Sequence, residues 1–199
     1  MIGIIDYGAG NLLSIKKAME HLGVKCRIIN TKNKFKGITK VILPGVGAFQ
    51  SAIRKLKSTG IYEITKDWLL SDKPFLGICL GMQLLFEESE ESAGVKGFGV
   101  FKGKVIRFKR GKVPQIGWNR VHIKRKSKLM SNIKDDSFFY FLHGYFAKPA
   151  DGDIITGTTE YNTVYPSMVE RGNICGVQFH PEKSSAMGLK LLRNWVRNI

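Results

Sequence analysis

The chain has 199 residues and a formal net charge of +16, with 32 lysines and arginines against 16 acidic residues. This length is sufficient for one domain with a substantial hydrophobic core, and we expect residues 1–199 to form one unit. No apolar run reaches the ~18–20 residues of a membrane-spanning helix. Asp6 also interrupts the segment that would be apolar in a signal peptide. We therefore expect a cytoplasmic protein that does not contact a membrane.

The three cysteines predict neither a disulfide framework nor a metal site. Cys26, Cys79 and Cys175 form no CxxC pair, and any pairing of two leaves the third unpaired. Small disulfide-rich domains and cysteine-based zinc sites show regular, closely spaced pairs instead. We expect reduced thiols, no metal and no other cofactor.

The positive charge is concentrated between positions 104 and 128, where ten lysines and arginines occur without an acidic residue. Such a segment can face nucleic acid, an acidic partner protein or solvent. No zinc-finger, basic-zipper or ribonucleoprotein motif accompanies it. A solvated or partner-facing surface is the preferred interpretation, and a nucleic-acid-binding module remains the less favoured alternative.

The first half of the chain alternates short apolar runs with amphipathic segments. We predict strands over 2–6, 24–29, 41–43 and 74–78, and helices over 12–22, 50–56, 62–70 and 80–88. Residues 8–11 form a turn, after which Asn11 caps the first helix and Gly23 ends it. Gly60 separates the second and third helices. Alternation at this spacing predicts a mainly parallel central sheet with helices on both faces.

The second half of the chain, after Gly94, is β-rich. Segments near 98–108, 120–124, 137–147, 153–159, 164–169 and 173–179 are broken by Gly, Asn and Asp. Residues 185–198 return to helical spacing, with an apolar face that includes Met187, Leu191 and Trp195. The predicted architecture is α/β with an antiparallel extension and no domain boundary.

Cys79 is the candidate nucleophile. It lies in the sequence Gly77-Ile-Cys-Leu-Gly81, between an apolar strand and an amphipathic segment. The two glycines remove the side chains that would collide in a tight strand-to-helix turn, as in the nucleophile elbow of hydrolases. Free N–H groups at the start of a helix favour a thiolate there. A buried core cysteine is the alternative interpretation.

His180 and Glu182 are the candidate base and its orienting carboxylate. Pro181 holds His180 in an extended conformation. Residues two apart in an extended segment project to the same side, so Glu182 can hold one ring nitrogen while the other faces Cys79. The segment follows a strand near the C-terminus, and ligands collect at the carboxyl ends of parallel strands.

The glycine-rich segment Pro44-Gly-Val-Gly47 is the candidate oxyanion loop. A tetrahedral intermediate needs two N–H donors close to its oxygen, and glycines let a backbone approach that closely. We expect these donors to be the N–H groups of Val46 and Gly47 together with that of Leu80. Taken alone, the segment would be only a tight turn.

A cysteine elbow followed by a C-terminal His-x-Glu pair, with a glycine-rich loop upstream, resembles the class I (triad) glutamine amidotransferases. The motifs look most like those of the HisH subunits of imidazole glycerol phosphate synthase. They cover nearly the whole chain in order: DYGAGN at 6–11, PGVGAF at 44–49, GICLGMQLLFEESEE at 77–91, GVKGFG at 94–99, PQIGWN at 114–119 and GVQFHPEKSS at 176–185.

The resemblance implies a flavodoxin-like fold in which Cys79 attacks the side-chain amide of glutamine and His180 transfers the proton to ammonia. It also implies a glutamine pocket formed by Gly45, Gly47, Gln83, Glu91, Gly144 and Tyr145. The family usually has Ser or Thr at position 144, where Gly144 can offer only its backbone amide.

The resemblance further implies a heterodimer with a HisF-type (β/α)₈ cyclase, which would use the ammonia. Asn11, Trp118, Tyr140 and Lys183 match family positions near the interface and the ammonia exit. The basic segment 104–128 would steer the chain toward an acidic face of the barrel. A paralogue that feeds ammonia to another acceptor, such as a nucleotide-sugar amidating enzyme, would keep every triad residue and remains an alternative.

Overall fold

Twelve strands and five helices make up the computed structural model, which describes residues 1–8 and 10–199. Ala9, within the predicted turn over 8–11, lies outside the described residues. The helices are α1 (Leu12–His21), α2 (Phe49–Ser58), α3 (Ile61–Leu70), α4 (Leu80–Gln83) and α5 (Ser185–Asn198). The strands are β1 (Ile2–Ile5), β2 (Cys26–Ile29), β3 (Lys40–Gly45), β4 (Phe75–Cys79), β5 (Phe86–Ser89), β6 (Phe101–Arg107), β7 (Gln115–Ile123), β8 (Ser137–His143), β9 (Tyr145–Pro149), β10 (Ile155–Glu160), β11 (Val164–Arg171) and β12 (Ile174–Val177).

The larger sheet has nine strands in the order β2-β1-β3-β4-β12-β11-β10-β7-β8. The five strands from β2 to β12 are parallel, and the remaining strands continue the sheet in antiparallel pairing. A second, three-stranded sheet has the order β5-β6-β9. The predicted α/β architecture, with a parallel sheet and an antiparallel extension, is confirmed.

Four of the parallel strands, β1, β3, β4 and β12, are largely buried because helices cover both sides of the sheet. Within β3, Val41 and Leu43 belong to the hydrophobic cluster that includes α2 and α3. Ile42, which projects to the opposite face, belongs to the cluster that includes α1 and α5. Alternating side chains of one apolar strand therefore supply two separate layers of core.

Local signals place most helix ends where they were predicted. The side chain of Asn11 accepts a hydrogen bond of 3.2 Å from the N–H of Ser14, which caps α1. Gly60 takes the left-handed conformation, with φ of 69°, between α2 and α3. Helix α5 spans Ser185–Asn198, the predicted range. Among the described residues, no helix has both the length and the apolar character that a membrane crossing requires.

The predicted helix over 80–88 is wrong beyond its first turn. Helix α4 ends at Gln83, and Phe86 begins strand β5. The carbonyl oxygens of Leu84 and Leu85 accept hydrogen bonds from the backbone N–H groups of Phe98 and Phe101, at 2.7 and 3.1 Å. These carbonyls would otherwise continue the helix, so pairing with a segment more than ten residues away overrides the local preference.

Candidate active site

Cys79 occupies a strained turn between β4 and α4. Its φ of 54° and ψ of −109° lie in a region that residues with a side chain rarely adopt, at a cost of about 1–3 kcal/mol. A Cβ atom on Gly81 would lie 1.8 Å from the carbonyl oxygen of Leu43, and one on Gly77 would lie 2.6 Å from the carbonyl oxygen of Gly81. The two glycines are therefore required by the close approach of backbones around the elbow.

His180 follows β12 and is held by Glu182. Nδ1 of His180 lies 2.8 Å from Oε1 of Glu182, and both side chains are almost completely buried. Glu182 lies in the short 3₁₀ turn Pro181–Lys183, so the pair forms across a turn, although its sequence pattern suggested an extended segment. The hydroxyl of Ser184 donates to the carbonyl of His180 and accepts from the N–H of Tyr140, which ties this turn to β8.

The surroundings of His180 favour its protonated form. Burial by itself lowers the pKa of the imidazole, but the Cys79 sulfur and the Glu182 carboxylate outweigh that effect and raise the pKa to about 10. Among the described residues, Nε2 of His180 makes no hydrogen bond of good geometry, but Cys79 lies close enough to contribute to the raised pKa of the imidazole. The arrangement therefore brings a sulfur, an imidazole and a carboxylate together in that order.

Two groups contact the sulfur of Cys79 that the sequence did not single out. The side-chain amide of Gln178 donates to the sulfur at 3.6 Å, and the sulfur lies 3.7 Å from the carbonyl oxygen of Leu142. Gln178 is fully buried. Its position two residues before His180, in the extended end of the same segment, is a signal that could have identified it.

A cavity of about 290 Å³ opens beside the sulfur. Val46 and Gly47 line it together with Leu80, the first residue of α4. The N–H at the first position of a helix has no partner within that helix, so Leu80 can direct its N–H toward a bound group. The predicted oxyanion donors thus lie on the same cavity as the nucleophile.

Most of the predicted glutamine-binding residues also line this cavity. Gln83, Glu91, Gly144 and Tyr145 do so, together with Pro114, Leu142 and His143, which the sequence did not single out. The Glu91 carboxylate accepts a hydrogen bond of 2.7 Å from the N–H of Phe49, at the start of α2, which fixes its orientation.

Gly45 is not among the lining residues. It pairs with Cys79 in the ladder between β3 and β4. A Cβ atom at this position would lie 2.5 Å from the hydroxyl of Tyr7 and 2.9 Å from the side chain of Leu80. Gly45 therefore lets the strand end pack closely against the elbow.

Trp118 and Tyr140 are cross-strand partners on the outer face of β7 and β8, with ring centroids 6.1 Å apart. The ammonium group of Lys183 lies 5.9 Å from the Tyr140 ring. Three large apolar side chains are about half exposed on these two strands: Ile116 (58%), Trp118 (52%) and Phe138 (48%). Such a grouping is typical of a surface that binds another protein. Asn11 lies at the start of α1, where its side chain serves as a helix cap.

This arrangement can support acyl transfer from an amide. A nucleophile, a base within reach of it, a carboxylate that orients the base and N–H donors around one cavity are the components of covalent catalysis on a carbonyl group. The cavity walls also supply a carboxylate for a substrate ammonium group and amides for a polar side chain.

Comparison with known proteins identifies the family. The model of the family described as Glutamine amidotransferase class-I matches residues 3–199. The chain is 52% identical to the imidazole glycerol phosphate synthase subunit HisH of Methanocaldococcus jannaschii and 51% identical to that of Pyrococcus furiosus, with 98% of each chain covered. It is 45% identical to the HisH subunit of Desulfitobacterium hafniense, over 98% of this chain and 93% of that one.

Solved structures show the same fold at low sequence identity. A crystal structure of a glutamine amidotransferase superposes with a TM-score of 0.78 at 17% identity, and the structure of PurLQS from Thermotoga maritima does so with 0.77 at 18% identity. Each match covers 98% of this chain and 96% of the other. The chain therefore belongs to the class I glutamine amidotransferase family, among the HisH subunits of imidazole glycerol phosphate synthase.

Proposed function

We propose that residues 1–199 act as one glutaminase unit that hydrolyses glutamine and passes the ammonia to a HisF-type cyclase. The observation that carries this proposal is the buried Cys79–His180–Glu182 arrangement beside a cavity large enough for an amino acid. The cyclase would add the ammonia to a phosphoribulosyl-formimino aminoimidazole carboxamide nucleotide. This step of histidine biosynthesis would yield imidazole glycerol phosphate and the aminoimidazole carboxamide ribonucleotide.

The chemistry begins when the Cys79 sulfur attacks the side-chain carbonyl carbon of glutamine. The carbonyl oxygen becomes an oxyanion, which the N–H groups of Val46, Gly47 and Leu80 can stabilise. His180 donates its proton to the departing nitrogen, and ammonia leaves a thioester on Cys79. Water, deprotonated by His180, then attacks the thioester, and glutamate leaves as the Cys79 thiolate and protonated His180 are restored.

The cavity walls supply the groups that recognise glutamine. The Glu91 carboxylate, oriented by the N–H of Phe49, would bind the α-ammonium group. The backbone around Gly144 and Tyr145 would bind the α-carboxylate and the chain of the substrate. A Cβ atom at position 144 would lie 3.3 Å from Cγ1 of Val113, so a serine there would require the Val113 side chain to shift by a few tenths of an ångström.

The exposed face of β7 and β8 is the proposed docking surface for the cyclase. It carries Ile116, Trp118 and Phe138, and the guanidinium group of Arg120 lies 5.1 Å from the Phe138 ring. Lys183 and Tyr140 connect this face to the turn that contains Glu182. Because ammonia becomes protonated in bulk water and loses its nucleophilicity, transfer through a closed interface preserves its reactivity. We place the complex in the cytoplasm.

The decisive experiment measures glutamate release from glutamine with and without a HisF-type cyclase and its nucleotide. We expect low turnover by the chain alone, a large increase in the full mixture, and loss of both in Cys79→Ala. Cys26→Ala is the matched control, because Cys26 lies on β2 and outside the cavity. Two results would refute the proposal. One is glutamate release that persists in Cys79→Ala, and the other is glutamate release that no HisF-type cyclase increases.

A further inference from the structure

A continuous chain of hydrogen bonds joins the cavity wall to the nucleophile. The side-chain amide nitrogen of Gln83 donates to the backbone carbonyl of Tyr145 at 2.9 Å and to Oε1 of Gln178 at 3.1 Å. The amide nitrogen of Gln178 donates in turn to the sulfur of Cys79 at 3.6 Å. Gln83 is 5% exposed and Gln178 is fully buried, so these bonds are largely shielded from bulk water.

The carbonyl of Tyr145 determines the donor-to-acceptor direction of this series of hydrogen bonds. A backbone carbonyl only accepts hydrogen bonds, and this one also accepts from Nδ1 of His143 at 2.8 Å. The NH₂ group of Gln83 must therefore face Tyr145 and, with its second hydrogen, the oxygen of Gln178. The NH₂ group of Gln178 is then the end that faces the sulfur. Reversing either amide would oppose two donors or two acceptors.

A thiolate at this position needs such a donor. The carbonyl oxygen of Leu142, 3.7 Å from the sulfur, can accept from a neutral S–H group but offers nothing to a thiolate. Burial removes most of the water that would otherwise solvate the negative charge. The side-chain amide of Gln178 supplies such a donor, 3.6 Å from the sulfur.

We propose that Gln178 is a further catalytic residue, whose side-chain N–H stabilises and orients the Cys79 thiolate, and that Gln83 and Tyr145 hold the amide in this direction. The inference rests on the proposed function only in taking Cys79 as the nucleophile. It links the segment that lines the glutamine cavity, residues 143–145, to the reactivity of the sulfur. Gln83 accordingly has a positioning role in addition to any contact with substrate.

The test is the pH dependence of Cys79 alkylation by iodoacetamide, followed by mass spectrometry of the peptide that contains Cys79. Gln178→Met keeps the length of the side chain but removes the donor. A hydrogen bond to a charged group contributes enough to shift such a profile by about one pH unit. We expect the midpoint of the Gln178→Met profile to rise by about that amount, with roughly tenfold slower alkylation below it.

Ser167→Ala is the matched control. Ser167 is fully buried on β11, and its backbone carbonyl accepts a hydrogen bond of 2.9 Å from the N–H of Gln178. Its side chain takes no part in the chain of amides, so this variant should keep the wild-type alkylation profile. A Gln178→Met protein that folds like the wild type and has the wild-type profile would overturn the proposal.

A second variant is available if Gln178→Met does not fold. Gln83→Met removes the group that orients Gln178, so the midpoint should move in the same direction by a smaller amount, and an unchanged profile would again overturn the proposal. Alkylation requires neither glutamine nor a partner. If Gln178→Met shows the shift but the wild-type chain releases no glutamate, the proposed function is refuted while the role of Gln178 stands.

Discussion

His143 is a buried imidazole that the fold keeps neutral, and this gives a measurable dependence of stability on pH. Burial, together with a smaller effect of nearby His180, lowers its pKa from 6.5 to about 4, against the opposing effect of the hydrogen bond to the Tyr145 carbonyl. The rings of Phe108, Phe141 and Tyr165 surround the imidazole at centroid distances of 5.4, 5.8 and 5.4 Å. Little water can reach the ring to stabilise a positive charge.

The sign follows from proton binding. Below the unfolded-state pKa of 6.5 the unfolded chain takes up a proton at position 143, whereas the folded chain does so only near pH 4. The contribution is therefore fully present above pH 6.5 and is lost as the pH falls toward 4. The separation of the two pKa values corresponds to a loss of about 2 kcal/mol by about pH 5 and about 3 kcal/mol by about pH 4.

Urea unfolding of wild type and His143→Asn at several values between about pH 7 and pH 5 measures this contribution. Asparagine can still donate to the Tyr145 carbonyl, but it does not titrate. His180 has a folded pKa of about 10, so its stabilising contribution grows slightly as the pH falls through 6.5, but it does so in both proteins and cancels in the comparison. Burial raises the pKa of Glu170, but this group titrates in both proteins and cancels in the comparison.

We expect the wild type to lose about 2 kcal/mol more than His143→Asn over this range. Packing lost in the variant lowers its stability at every pH and does not alter the slope. Parallel dependence of the two proteins on pH would show that His143 is not kept neutral by burial, and the reasoning would fail.

Other substitutions probe the elbow, the triad and the outer face. Gly81→Ala places a methyl group 1.8 Å from a β3 carbonyl oxygen and should prevent folding. Gly23 has a φ of 74° and no atom within 4 Å of the position that a methyl group would take, so Gly23→Ala should lower the free energy of unfolding by only about 1–2 kcal/mol. Similar thermal unfolding of the two variants would contradict this. Glu182→Gln should lower the pKa of His180 and reduce kcat for glutamate release by roughly 10⁴, and a loss below about tenfold would contradict the role of the carboxylate. Trp118→Ala should change stability by less than about 0.5 kcal/mol but weaken cyclase binding by about 30-fold or more, as measured by calorimetry; unchanged affinity would place the interface elsewhere.

Secondary structure could be predicted where its causes are local. Asn11 caps α1, Gly60 separates α2 from α3, and the range of α5 agrees with its apolar spacing. Each depends on side chains within a few residues of the feature, so the sequence pattern contains the necessary information. The segment 84–88 behaved differently, because its backbone pairs with residues near 98–101.

The candidate site divides in the same way. The residue types and their spacing were sufficient to propose Cys79, His180 and Glu182, since a glycine-flanked elbow and a His-x-Glu pair are short motifs. The sequence pattern did not show that Gly45 packs against Tyr7 outside the cavity, or that Leu142 contacts the sulfur. Those contacts depend on how separate strands are placed beside one another.

Motifs and periodicities of a few residues were enough to predict the α/β alternation and to propose the nucleophile and its base. What surrounds the sulfur could not be predicted in this way, because it depends on the tertiary structure. Gln178 is 99 positions from Cys79, and Gln83 is 62 positions from Tyr145. Hydrogen bonds between such distant groups form only when β4, β9 and β12 have been brought together, and the free energy that does this comes from burial of the whole apolar core.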